Sequence, residues 1–373
     1  MTDKIKFYYP LFVASFSFFL SYYTRLTWSI LSVYVPFHPT VIQDAHVFAI
    51  YFFGYIVIQI PAGFIADKYS CGKIISISLL VLAFATFLSG ISDNILKEYI
   101  ASFIMGVSAG FVYPASLKVV NFYYKKNKSL YIGYYSIAWP FAIVAAGVFL
   151  PPIAIYIGWR WGYYFPAILS LILAVLSYPL DTQPTEQKKF NISLLKDKKV
   201  MLISIGGFLF FLSYWSITLY AYKYFTQIGI NKTLSGYIFS TMAIAGLFSS
   251  SISGPLIKKL GLKFTIITAL VLYALFIISF SFTNSYFILM ILAFSMGFMR
   301  FIITPGNNNM LIAIGKDNVG VVTGISNMIW QSSGIVGPLL SSFLIHSFGF
   351  SFFWVAIGII VLLSSLFYKA IKI

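Results

Sequence analysis

Two arginines stand inside stretches that are otherwise apolar: Arg25 in SFFLSYYTRLTWSILSV and Arg300 in LAFSMGFMRFIITPG. A guanidinium is a planar fork of N–H donors. It matches a carboxylate, phosphate or nitrate by paired hydrogen bonds. Helical steps of three and four put Ser21, Tyr22, Trp28, Ser29 and Ser32 on the face of Arg25, and Thr304 and Asn307 on that of Arg300. The same spacing pairs Asn327 with Gln331, Tyr214 with Thr218, and Tyr51 and Tyr55 with Gln59. Of these, Tyr22, Trp28, Thr304, Asn307, Asn327 and Gln331 are the candidates for completing a binding site around the two arginines. The competing reading is structural: arginines bonded to backbone carbonyls at a helix break, and aromatic residues that pack.

Other chemistry is missing. The nine acidic residues are Asp3, Asp44, Asp67, Asp93, Glu98, Asp181, Glu186, Asp197 and Asp317, and all map to termini, loops or ends of apolar runs. No carboxylate is therefore expected at mid-membrane as a proton carrier. The histidines, His38, His46 and His346, fall near the outer ends. Moving one negative charge inward against 100 mV costs about 2.3 kcal/mol. Uptake of an anion would thus need an exchanged anion, a proton on the solute itself, or protonation at Asp44 or His46. There is no glycine loop with lysine for nucleotides, no HExxH pair, and no Cys/His cluster of metal-ligand spacing. No catalytic residue, metal site or cofactor is expected, which disfavours an enzyme.

The elements that must carry these residues are membrane helices. Of 373 residues, 60% are hydrophobic and 9% charged, and the mean hydropathy is +0.90. Apolar runs of 18 or more residues recur throughout, and in lipid only helices or closed barrels satisfy the backbone. Twelve spans are expected at 7–36, 44–66, 73–92, 97–122, 129–153, 162–180, 200–225, 234–257, 263–283, 286–313, 317–344 and 350–370. Lys4 and Lys6 precede the first run, but no small-residue cleavage pattern follows it, so a retained helix is expected rather than a signal peptide. One polar linker, 181–199, separates a bundle at 1–180 from another at 200–373. With this map nineteen of the 25 basic residues fall on the side of the termini and four on the other. The positive-inside rule then places both termini in the cytoplasm of a cell-membrane protein. The net charge of +16 is thereby a topology signal rather than a sign of nucleic-acid binding. Cys71 stands alone and forms no intrachain disulfide.

The chain also repeats itself. FFLSY occurs at 18–22 and again at 210–214, an offset of 192. Gly63 matches Gly254, Met105-Gly106 with Pro114 matches Met296-Gly297 with Pro305, and Gly133 with Trp139 matches Gly324 with Trp330, all at 191. An even number of spans separates the copies, so the halves are parallel six-helix repeats. Transporters use that arrangement, with solute near the midplane between repeats.

On these residues the chain resembles the major facilitator superfamily. YIVIQIPAGFIADKYSCGK, from Tyr55 to Lys73, is similar to the family's second helix and cytoplasmic loop; its second copy is GPLIKKLGLK. The resemblance extends through GFVYPA and GWRW. The first copy departs from the pattern at Ser70 and Gly72, and Lys258 stands where the first copy has Asp67. The resemblance implies an all-α, twelve-helix fold in which Gly63 and Gly254 allow close helix packing. Asp67, Lys68 and Lys258 would then serve gating. It also implies that the first, fourth, seventh and tenth spans line a central cavity, so that Arg25 and Arg300 meet the same space. Arg25 followed by Pro36 resembles the organophosphate and organic-anion branch, although Thr24 stands where an acidic residue is frequent. The expectation is a secondary transporter for a small anionic solute, in a lipid bilayer, with a coupling proton or an exchanged anion. The alternatives are a neutral or cationic solute, such as a sugar or drug, with structural arginines, and a non-transporting membrane sensor on the same scaffold.

Overall fold

Residues 3–183, 197–315 and 318–371 are described by the structure, a computed structural model. Most of the linker expected at 181–199 lies outside them. So do Lys188, Lys189, Lys196, Lys316 and Lys372 of the basic count, and Glu186 and Asp317 of the acidic one.

All regular structure among the described residues is helical. The helices are α1 (Asp3–Leu31), α2 (Val41–Lys68), α3 (Cys71–Gly90), α4 (Ile95–Tyr123), α5 (Lys128–Ser136), α6 (Ala138–Ile153), α7 (Trp161–Ser177), α8 (Lys198–Gln227), α9 (Lys232–Leu260), α10 (Leu262–Ser279), α11 (Tyr286–Gly315) and α12 (Val319–Ala370). Polar side chains at the loop ends start several of them by satisfying first-turn N–H groups. Asn94 accepts from the Lys97 N–H, Asp197 from those of Lys199 and Val200, and Asn231 from that of Thr233.

The boundaries differ from the sequence reading in three instructive places. The first helix ends at Leu31 rather than 36; residues 32–36 turn ahead of Pro36, and the residue before a proline is biased out of the α region. The fifth span is broken between α5 and α6 at Ile137, because Pro140 has no N–H to bond the Ser136 carbonyl. The eleventh and twelfth spans run together as α12 and are divided at Gly349, whose φ of 81° is open to glycine and costly for other residues. Among the described residues, eight helical segments are long and apolar enough to cross a membrane by length and composition alone. With α12 counted twice across Gly349, α9, the Arg25-bearing α1 and the 17-residue α7 complete twelve.

The chain forms two compact units, Met1–Pro39 with His46–Lys188, and Thr40–Ala45 with Lys189–Ile373. In the first, α1 packs on α4, α6 and α7, and α3 on α4 and α7. The C-terminal end of α2 is held by Lys118 of α4, whose Nζ donates to the Ala66 carbonyl at 2.6 Å. In the second, α8 and α10 pack on α12, and α9 and α10 on α11. Trp330 of α12 donates its indole N–H to the Ile203 carbonyl, and Ser204 bonds Ser326 at 3.0 Å.

One contact occurs in both units. A Cβ on Gly106 of α4 would sit 2.0 Å from the Tyr51 carbonyl oxygen of α2. A Cβ on Gly297 of α11 would sit 2.0 Å from the Met242 carbonyl oxygen of α9. Tyr51 and Met242 are themselves 191 residues apart, so the sequence repeat is a repeat of backbone contacts. The close packing expected at Gly63 and Gly254 is not found there: nothing approaches an added Cβ within 4 Å at either.

Candidate functional site

In the first unit Arg25 is 6% exposed, on the buried face of α1. Its Nε donates to the Tyr51 hydroxyl of α2 at 3.2 Å, and that hydroxyl in turn donates to the Ser21 carbonyl at 3.4 Å. Four rings surround the guanidinium carbon at 4.8–5.1 Å: Tyr22, Tyr51, Phe52 and Tyr55. A desolvated cation–π contact stabilises by about 0.5–2 kcal/mol, and a central arginine costs roughly 2.5–3.5 kcal/mol on insertion. The rings therefore offset much of that cost. The Tyr51 hydroxyl takes the Nε donor, one of the five N–H groups that lie in the guanidinium plane.

In the second unit Arg300 of α11 is 5% exposed. Its guanidinium carbon lies 3.7 Å from the centre of the Tyr214 ring and 4.6 Å from that of Phe301. Tyr214 closes the second FFLSY as Tyr22 closes the first. Each copy thus sets its tyrosine against the arginine of its own unit, although one arginine is on the same helix as its motif and the other is not. The apolar letters pack: Phe18 stacks on Tyr135 at 5.0 Å and Phe211 on Trp330 at 5.4 Å.

The other expected residues divide. Tyr22 and Trp28 are buried beside Arg25. Trp28 joins Arg25, Thr24, Tyr51, Ser102 and Glu98 in lining a small cavity with room for about one water molecule. Thr304 is half-buried, and its hydroxyl turns back to the Arg300 carbonyl at 3.2 Å. Asn307 is buried but faces α12, where its Oδ1 accepts from the Tyr368 hydroxyl at 2.7 Å. Asn327 and Gln331 are half-buried on α12, and Gln331 Oε1 is buried without a hydrogen-bond partner. Asp67 pairs with Lys118 of α4 at 3.3 Å, not with Lys125 or Lys126, which sequence reasoning considered; those two fall beyond the end of α4. Lys68 and Lys258 are exposed, with Lys68 Nζ 5.6 Å from the Tyr69 ring.

Two carboxyls assigned to span ends are deeply buried. Asp44 is 1% exposed and pairs with Lys223 at 2.5 Å, both within the second unit. Glu98, in the first turn of α4, is also 1% exposed. Sequence reasoning missed it because it lies close to the end of a run. Ser102, four residues on and on the same face, was the available signal. Among the described residues no group of three or more His, Cys, Asp or Glu is placed to hold a metal.

The family model described as Major Facilitator Superfamily matches residues 11–264 and 203–372. The agnestins efflux protein AgnL12 of Paecilomyces divaricatus is 21% identical over 82% of this chain and 72% of its own length. The quinolone resistance protein NorB of Staphylococcus aureus is 30% identical over 39% of this chain, and the match spans 31% of NorB. Among solved structures, a bacterial homolog of the human lysosomal transporter Spinster, inward-facing and occupied, superposes with a TM-score of 0.85 at 13% identity. That match covers 99% of this chain and 97% of the homolog. The nucleoside transporter NupG gives 0.81 at 14% identity, over 97% of this chain and 98% of NupG. At these identities the likeness is one of fold.

Proposed function

Because the chain belongs to the major facilitator superfamily and is a multi-pass membrane transporter, we propose that it moves a small anionic solute by alternating access. Arg25 in one unit and Arg300 in the other are the cationic groups that meet the solute. The observation that carries this reading is the pair of deeply buried arginines, one per unit, each set among aromatic rings on its own helices. A cation kept in lipid at this cost is a functional group first, and its in-plane donors suit an oxyanion. Tyr22 and Trp28 would complete the Arg25 side, and Thr304 with Asn307 the Arg300 side; Asn327 and Gln331 would add amide groups from α12. Asp67 with Lys118, beside Gly63 and Lys68, and Gly254 with Lys258 in the second copy would change partners as the transporter changes state. The basic residues orient both termini to the cytoplasm of a cell membrane, and a proton or an exchanged anion balances the charge.

The test is counterflow in proteoliposomes, after a thermal-shift screen of purified protein against anions, sugars and cations has chosen the solute. Arg25→Ala and Arg300→Ala should each abolish counterflow of the stabilising anion while leaving the protein folded. Undiminished flux in either variant removes that arginine from the solute's path.

A second reading rests on the rings. Four aromatic contacts already serve Arg25, so the arginines can be structural and the aromatic lining can take a neutral or cationic organic solute. The relatives named for efflux and for quinolone resistance lean the same way. Stabilisation by planar organic compounds and by no anion in the same screen would favour it.

A further inference from the structure

Glu98 is a buried carboxyl in need of a role. Both the Ser89 and Ser102 hydroxyls donate to its Oε1, at 3.1 and 3.3 Å. The Ser92 hydroxyl, which donates to the Leu88 carbonyl at 3.0 Å, also lies beside the carboxyl, whose Oε2 is buried. It lines the same small cavity as Arg25, together with Thr24, Tyr51 and Ser102. Asp44, the other buried carboxylate described, is already neutralised by Lys223.

We propose that Glu98 is a proton-binding site whose protonation sets the net charge of the cavity it shares with Arg25. The step is simple: a carboxylate oxygen takes one proton and becomes a neutral carboxyl, and no other bond changes. With Glu98 ionised, Arg25 has a counter-charge in the same cavity. With Glu98 protonated, the cavity keeps the full positive charge of Arg25. The space beside Glu98 has room for about one water molecule, so a solute that meets Arg25 feels the charge of Glu98 without touching the carboxyl.

The other groups around Glu98 are few. Arg25 comes from α1 and the Tyr51 hydroxyl from α2. His46 of α2 has its ring 6.1 Å from that of Tyr99, the neighbour of Glu98. On the exposed turn, Asp93 and Lys97 pair with each other at 2.8 Å. Ser89 of α3, Ser92, and Ser102 of α4 are uncharged. Arg25 is thus the cation that shares the cavity with Glu98.

On the reading of an anionic solute given above, on which this consequence rests, an anion that binds Arg25 favours the protonated carboxyl. By reciprocity the proton favours the anion. Anion and proton then move together, and transfer carries no net charge against the membrane potential.

The experiment needs no solute, so its failure is distinct from failure of the anion reading. Purified protein in nanodiscs is titrated with pH and followed by infrared difference spectroscopy in the protonated-carboxyl C=O region. The wild type should show a band that is lost as pH rises. Glu98→Gln should lack it, Glu98→Asp should show it at a shifted frequency, and Asp44→Asn should keep it. Arg25→Gln should move the midpoint of its loss to higher pH, since the cation that favours the carboxylate is gone. Size-exclusion profiles and circular dichroism establish that each variant is folded, and Glu98→Asp keeps the test open if Glu98→Gln is not. No titrating band in the wild type, the same band in Glu98→Gln, its loss in Asp44→Asn, or a midpoint unmoved by Arg25→Gln would each overturn the proposal.

Discussion

The tyrosines that end the two FFLSY motifs press on arginines, and their rings and hydroxyls do separable work. Tyr214→Phe keeps the ring 3.7 Å from Arg300, so it should lower thermal stability in detergent less than Tyr214→Leu does. Tyr214→Leu removes a desolvated cation–π contact and should cost about 2 kcal/mol. At Arg25 the hydroxyl matters more, because Tyr51 both accepts from Nε and donates to the Ser21 carbonyl. Tyr51→Phe should cost about 1 kcal/mol, seen as a lower melting midpoint, and Tyr51→Ala should cost more because the ring is lost too. Equal costs at Tyr51 would mean that the ring contributes nothing and the hydroxyl carries the whole effect. Sequence reasoning found Arg25 and Arg300 as charges inside apolar runs and the Tyr51–Tyr55 face from helical spacing. It could not see that Tyr51 spans to α1, that Asn307 turns to Tyr368, or that Glu98 is enclosed. Each depends on which neighbouring helix covers a given face, and spacing within one helix does not encode that.

At the scale of elements, two helix pairs, α2 with α4 and α9 with α11, meet where a glycine faces a backbone carbonyl. Gly106→Ala and Gly297→Ala would each force a methyl to 2.0 Å from backbone oxygen. Backbone cannot yield as a side chain can, so each should cost about 3 kcal/mol and reduce the monodisperse fraction in size-exclusion chromatography. Gly63→Ala should leave that fraction unchanged, since nothing lies within 4 Å of its new methyl. A loss at Gly63 as large as at Gly106 would show that another conformation brings helices together there. Helix existence was legible throughout because apolar runs of this length have few other fates in a lipid-facing chain. The breaks were less so. Pro36 and Pro140 are visible in the sequence, but whether a proline ends, splits or only bends a helix depends on how its neighbours satisfy the freed carbonyl; Pro114 and Pro305 remain inside continuous helices.

For the whole molecule, the distribution of basic residues makes a topological claim that chemistry can check. In a Cys71→Ser background, Asp93→Cys should react with a membrane-impermeant maleimide in intact cells, and Asn127→Cys only after permeabilisation. Both positions are exposed, while Cys71 itself is buried. The reverse pattern would invert the orientation read from lysine and arginine placement.

Composition and period alone determined that this is an all-helical, twelve-span membrane protein built from a repeat, because the bilayer leaves the backbone few choices and a repeat preserves its register. The resemblance carried by the loop signature and the repeat reached the superfamily. Only the tertiary structure decided which groups surround each arginine, which glycines meet a neighbouring backbone, and that a carboxyl near a helix end shares a cavity with Arg25. Those depend on contacts between helices far apart in sequence, where burial and not residue type sets what a charge costs and what it can do.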